Sequence, residues 1–84
     1  MAIHDKPVSS IARAIERYLS IHPEASDSPA GIRSWWLPHA LRAEPLPLVL
    51  VALDQLEKRG VVVRRPIEGG GGIYRRAVSR PKRR

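Results

Sequence analysis

Several residue types are missing from this chain of 84 residues, and each absence excludes a class of site or protein. There is no cysteine, which excludes disulfides, thiol nucleophiles and cysteine-containing zinc sites and fits a reducing compartment. There is no phenylalanine, so two tryptophans and two tyrosines must supply the bulk of the core. The longest apolar run, residues 45–53, is far shorter than the roughly 20 residues that cross a bilayer. We therefore expect a soluble, cytoplasmic protein that makes no membrane contact.

The composition, with 43% hydrophobic and 27% charged residues, is typical of one small globular domain. We expect this domain to span residues 7–78, with a flexible N-terminus at residues 1–6 and a disordered basic tail at residues 79–84. Signals of catalysis are missing, because no nucleophile is paired with a base. The three histidines, His4, His22 and His39, lack the spacing of metal ligands. The sequence predicts a protein that is not an enzyme and has no cofactor or metal.

The net charge of +7 is concentrated at one end of the chain. Residues 1–60 carry equal numbers of basic and acidic side chains, whereas residues 61–84 contain a single acid, Glu68. The basic residues of that second segment are Arg64, Arg65, Arg75, Arg76, Arg80, Lys82, Arg83 and Arg84. A basic segment of this kind attracts a polyanion through Coulomb forces and counterion release, and nucleic acid is the usual polyanion of the cytoplasm.

Two helices are predicted in the first half of the chain. Ser9 or Ser10 can cap the first helix, whose apolar residues are spaced three and four apart as far as Ser20 or Ile21. Ser28 and Pro29 provide a cap and a first position for a short second helix that ends near Leu37. Adjacent Trp35 and Trp36 are about 100° apart on such a helix, so at most one points squarely into the core. We nevertheless expect structural roles for both.

A third helix and a hairpin are predicted in the second half. Pro45 and Pro47 suit the opening turn of a helix over residues 48–59, and Gly60 suits its C-terminal stop. A buried strand over residues 48–51 is the alternative, because a short apolar run fits either structure. Residues 61–65 and 73–78 then form two strands joined by the glycine run 69–72. Tyr74 on the second strand is expected to pack on the third helix, with its hydroxyl at the edge.

This element order resembles the winged helix-turn-helix domains of small bacterial transcription regulators. The resemblance rests on Ala52, Leu53, Leu56 and Gly60, followed by Val61-Val62-Val63-Arg64-Arg65, which looks like a recognition helix entering its wing. It implies an α+β fold in which three helices precede a two-stranded hairpin wing, with room for a short extra strand. It also implies that duplex DNA is contacted by the wing and by exposed residues of the third helix.

The DNA-binding interpretation assigns contacts to particular side chains. We expect the four hairpin arginines to neutralise phosphates or enter a minor groove, Gln55 and Arg42 to lie near the groove floor, and the tail to add nonspecific affinity. The residues so assigned are Arg42, Gln55, Arg64, Arg65, Arg75, Arg76, Arg80, Lys82, Arg83 and Arg84.

The alternative is a protein-interaction module, because the third helix departs from the DNA-binding pattern. Where a base-reading helix needs hydrogen-bonding side chains, this one has Leu48, Leu50 and Val51, while Asp54 would repel phosphate. An exposed apolar patch on a small domain more often marks a protein contact, either with a second copy or with another partner. In this interpretation Leu48, Leu50, Val51 and Trp36 form the contact.

Overall fold

The computed structural model describes residues 5–77, which form three helices and a three-stranded antiparallel sheet. The α+β prediction is confirmed, and the extra strand precedes the second helix. The elements are α1 (Asp5–Ile21), β1 (Ser26–Asp27), α2 (Pro29–Gly31), a π-helical turn (Ile32–Trp36), a 3₁₀ turn (His39–Leu41), α3 (Leu46–Lys58), β2 (Val62–Pro66) and β3 (Gly72–Arg76). Residues 1–4 and 78–84 lie outside the described part, and with them the predicted tail 79–84 and its Arg80, Lys82, Arg83 and Arg84.

Helix α1 begins at Asp5, so the predicted cap at Ser9 or Ser10 is wrong. The cause is Pro7, which lies in the first turn, where a missing N–H leaves no hydrogen bond unmade. The helix ends at Ile21, before His22 and Pro23, as predicted. It buries one face, formed by Val8, Ile11, Ala12, Ile15 and Leu19.

Helix α2 starts as the sequence predicts and then changes form. The Ser28 side chain accepts a hydrogen bond from the Gly31 N–H at 3.1 Å, with Pro29 at the first helical position. The chain then continues directly into the π-helical turn, which buries Trp36 and leaves Trp35 72% exposed. The prediction that at most one of the two tryptophans points squarely into the core is confirmed, because only Trp36 faces inward. The structural role expected of Trp35 is wrong, because its side chain is exposed.

Helix α3 spans Leu46–Lys58, which excludes the alternative strand at residues 48–51. Its core face is the predicted one, since Val49, Ala52, Leu53 and Leu56 have no exposed surface. The helix ends in a Schellman motif around Gly60, whose φ is +79°. In this motif the Gly60 N–H donates to the Glu57 carbonyl and the Val61 N–H to the Leu56 carbonyl.

Strands β2 and β3 form the predicted hairpin, and β1 pairs with the other edge of β3. Three glycines of the connecting turn, Gly69, Gly70 and Gly71, have positive φ, which other residues rarely adopt. Pro66 ends β2 at the free edge of the sheet, where a strand tolerates a residue that has no N–H.

The hairpin is attached to the helices by two buried side chains. Val62 is 1% exposed and Tyr74 is 7% exposed, and both belong to the same hydrophobic cluster as the buried residues of α1 and α3. The predicted packing of Tyr74 beside α3 is confirmed. Within residues 5–77, no helix is long and apolar enough to cross a membrane.

Candidate nucleic-acid interface

The strand register divides the hairpin side chains between two faces. Directly paired residues share a face, and successive residues along a strand alternate. We call the face that contacts the helices the inner face and the opposite face the outer face. The inner face carries Val62, Arg64, Tyr74 and Arg76, and the outer face carries Val63, Arg65, Ile73 and Arg75. The four predicted arginines are therefore divided equally, two on each face.

The arginines of the hairpin are all exposed. Within residues 5–77, the side chains of Arg64, Arg65, Arg75 and Arg76 make no salt bridge and no hydrogen bond. Their guanidinium groups therefore remain available to an anionic partner.

Several basic residues of the helical part are used differently. Arg59 pairs with Glu16 of α1 at 3.0 Å, and Lys58 pairs with Asp54 at 3.1 Å. The Arg33 guanidinium donates to a backbone carbonyl of the connector before α3. These cations serve contacts inside the domain, whereas those of the hairpin do not.

The two inner arginines lie near acidic side chains. Burial raises the pKa of Tyr74 above its usual value of 10.0; Arg64 acts in the opposite direction, and Glu57 and Asp54 of α3 add to the rise. Arg64 and these two carboxylates therefore act electrostatically on the same hydroxyl. Arg76 lines a shallow groove together with Glu16 of α1.

Arg64 is also held close to its own strand. A Cβ added at Gly72 would lie 2.8 Å from Nε and 2.9 Å from Cγ of Arg64, so the Arg64 side chain lies across the glycine. The absence of a side chain at Gly72 gives the arginine its place on the inner face.

The two outer arginines have apolar and small neutral neighbours. Arg65 lies opposite Ile73, and Arg75 lies between Val63 and Ser26, which pair with it from either side. Val63 is 40% exposed, so this face is open to solvent. Asp27, the acidic residue of the three described strands, pairs with Tyr74 and so belongs to the inner face.

Helix α3 presents an exposed surface of mixed character. Leu50 and Val51 are 42% and 44% exposed, and Asp54 and Gln55 are exposed beside them. Leu48 is half-buried against the core, so its contribution to this surface is smaller than the sequence suggests. The surface offers one neutral hydrogen-bonding side chain, that of Gln55.

Arg42 lies in the connector after the 3₁₀ turn rather than on α3. Its Nε donates to the carbonyl of Leu37 at 3.0 Å, which ties the connector to the end of the π-helical turn. Arg42 is exposed, but its side chain has a structural contact that the sequence did not indicate.

Trp36 is not available for the alternative protein contact that the sequence suggested. It is 5% exposed and stacks on Tyr18 of α1, with the ring centroids 4.9 Å apart and the planes at 10°. The exposed tryptophan is its neighbour Trp35. The choice between adjacent tryptophans depends on the orientation of the helix, which the sequence pattern left open.

Comparison of this chain with protein-family models, curated proteins and solved structures finds no match. The class of protein is therefore inferred from the order of its elements and from the charges on its surface.

Proposed function

We propose that this chain is a winged-helix domain that binds duplex DNA through its basic hairpin. The order of elements supports the class, because helix, short strand, two helical segments and a hairpin follow one another along the chain. The sheet order β1-β3-β2 supports it too, since the short strand joins the hairpin at β3. In this arrangement β2, the glycine turn and β3 are the wing.

The observation that carries the proposal is the set of four exposed, unpaired arginines on the hairpin. The entire excess charge of +7 lies in residues 61–84, the segment that includes the hairpin. Arginine binds phosphate with charge-assisted hydrogen bonds, and each phosphate neutralised releases condensed counterions. These two effects favour a duplex over a neutral partner.

The proposed mechanism is binding without chemistry. The wing arginines contact phosphates or a groove, while Gln55 and the terminal nitrogens of Arg42 are the remaining candidates for contacts near bases. The C-terminal segment outside the described residues adds the charges of Arg80, Lys82, Arg83 and Arg84, which supply nonspecific affinity. The biological role that fits best is that of a transcriptional regulator or an accessory DNA-binding factor in the cytoplasm.

The experiment that tests the proposal is a titration of a fluorescent duplex at several salt concentrations, with anisotropy as the readout. The variant replaces Arg64, Arg65, Arg75 and Arg76 by glutamine, which keeps most of each side-chain stem and removes the charge. We expect the slope of log affinity against log salt to fall by about one unit for each arginine that meets a phosphate.

The control replaces Arg13 and Arg17 by glutamine, because both are exposed on α1 rather than on the hairpin. Its slope is expected to stay at the wild-type value. A hairpin variant that binds with wild-type affinity and slope would contradict the proposal, since the DNA would then be held by other charges.

A protein-interaction role is the second candidate, and the exposed apolar surface of α3 favours it. Leu50 and Val51 are adjacent large apolar side chains that both remain exposed, and exposed apolar patches often mark protein contacts. The test is sedimentation equilibrium at high salt for the wild type and for a variant with glutamine at both positions. A dimer that persists at high salt and is lost in the variant would support this role, and a monomer in both would remove the case for self-association.

A further inference from the structure

We infer that the outer face of the hairpin is the duplex-binding surface, that the inner face and α3 are not, and that binding is therefore insensitive to base sequence. The inference rests on the proposed function and divides its arginines into two groups. The outer pair, Arg65 and Arg75, carries the affinity, and the inner pair, Arg64 and Arg76, contributes little.

The carboxylates of the domain reduce the electrostatic attraction of the inner face. Asp54 and Glu57 of α3 act on the same Tyr74 hydroxyl as Arg64, and Arg76 lines a groove with Glu16 of α1. Asp54 and Glu16 are paired with Lys58 and Arg59, so their charges are partly offset, but a phosphate that approaches either inner arginine still meets carboxylates. Repulsion between like charges opposes part of the attraction, although salt screens both.

Steric access also favours the outer face. The inner face packs on the helices through Val62 and Tyr74, and Arg64 is laid across Gly72. No helix of residues 5–77 covers the outer face, as the 40% exposure of Val63 indicates.

The register sets the spacing of the outer arginines. Arg65 is two positions along β2 from Val63, the residue directly opposite Arg75, so the two arginines are diagonal neighbours on one face. Diagonal pairs in an antiparallel sheet are roughly 7–8 Å apart, within reach of long side chains. Two flexible guanidinium groups at this spacing can bind separate phosphates of one duplex, while Val63 and Ile73 support their stems.

The surface of α3 argues against base readout. Leu50 and Val51 have no hydrogen-bonding groups, and Asp54 beside them repels phosphate. Contacts to phosphate fix position but carry no sequence information. A duplex held by Arg65 and Arg75 alone should therefore be bound equally well whatever its base sequence.

The test compares two double variants that remove the same charge from opposite faces, Arg65→Gln/Arg75→Gln and Arg64→Gln/Arg76→Gln. Both are titrated with two duplexes of equal length and unrelated sequence at about 0.1 M salt. We expect the outer variant to lose roughly 10- to 100-fold in affinity and about two units of salt slope. The inner variant should lose less than about threefold, and the two duplexes should bind each protein within about twofold of one another.

A further variant tests the role of α3. Gln55→Ala should bind both duplexes like the wild type, because α3 stays away from the duplex. Equal losses in the two double variants, a larger loss in the inner one, or strong discrimination between the duplexes would overturn the inference while the proposed function stood. Failure of the wild type to bind either duplex would overturn the proposed function itself.

Discussion

The helical part of the molecule, residues 5–60, and the hairpin, residues 61–77, differ in both packing and charge. Of the buried hydrophobic residues in the described part of the chain, only Val62 and Tyr74 belong to the hairpin. The helical part pairs several of its cations internally, whereas the hairpin arginines form no such contacts within residues 5–77. Most of the buried apolar surface that stabilises the domain therefore belongs to the helical part, and the hairpin is attached to it as a charged surface.

The largest expected effect comes from creating a cavity in the helical part. Leu53 of α3 has no exposed surface and belongs to the central cluster. Leu53→Ala should lower the free energy of unfolding by about 3 kcal/mol, because the cavity removes apolar contacts in a small core. Urea unfolding followed by circular dichroism measures this change. Leu50→Ala, on the exposed side of the same helix, is the matched control and should lower the free energy of unfolding by about 1 kcal/mol or less. Equal losses of stability in the two variants would contradict the assignment of Leu53 to the core and Leu50 to the surface.

A smaller effect is expected at the junction between the two parts. Gly60 has a φ of +79° and closes α3, so Gly60→Ala should destabilise the domain by about 1 kcal/mol through backbone strain. Gly70 has a φ of +102° in the hairpin turn, and an added Cβ would have no neighbour within 4 Å at either glycine. Gly70→Ala should cost less than Gly60→Ala, because the turn can change shape without disturbing a helix end. Thermal unfolding of both variants makes the comparison, and the reverse order would show that the turn is the more constrained position.

The smallest effect is a dependence of stability on alkaline pH. Burial raises the pKa of Tyr74 in the folded protein, so the folded state favours the protonated hydroxyl. The stabilisation is fully present below the unfolded pKa of about 10 and is lost as the pH rises through the higher folded pKa. Urea midpoints measured between pH 8 and pH 11 should fall more steeply for the wild type than for Tyr74→Phe. Parallel curves for the two proteins would mean that the Tyr74 hydroxyl is not buried against the core.

Local signals were sufficient to predict the helix ends that depend on proline and glycine. His22-Pro23 ends α1, Ser28 and Pro29 start α2, and Gly60 ends α3, because each acts on the backbone within a few residues. The apolar face of α3 was predictable for the same reason, since its spacing matches one helical turn.

Features that depend on contacts distant in sequence were not predictable. Pro7 is compatible either with a position before the helix or with a position in its first turn. The choice depends on how Val8 packs in the core. From the sequence alone, either Trp35 or Trp36 could be the buried tryptophan, because the choice depends on how the helix is oriented against Tyr18.

The division of the four hairpin arginines between the inner and outer faces also depends on contacts distant in sequence. Strand alternation predicts that adjacent arginines point to opposite faces, but it does not tell which face contacts the helices. Only the assembled fold brings Asp54, Glu57 and Glu16 to the inner face and so distinguishes Arg64 and Arg76 from the outer pair.

The most direct test of duplex binding by the hairpin is an NMR titration of the ¹⁵N-labelled protein with a mixed-sequence duplex at physiological salt. Backbone amides and arginine Nε–Hε signals are followed together, so that the surface and the side chains are reported in one experiment. If the outer face of the hairpin binds the duplex, shifts should be concentrated in residues 61–77. The Nε–Hε signals of Arg65 and Arg75 should then change more than those of Arg64 and Arg76. Shifts confined to α3 or to residues 78–84, or no shifts at all, would contradict duplex binding by the hairpin.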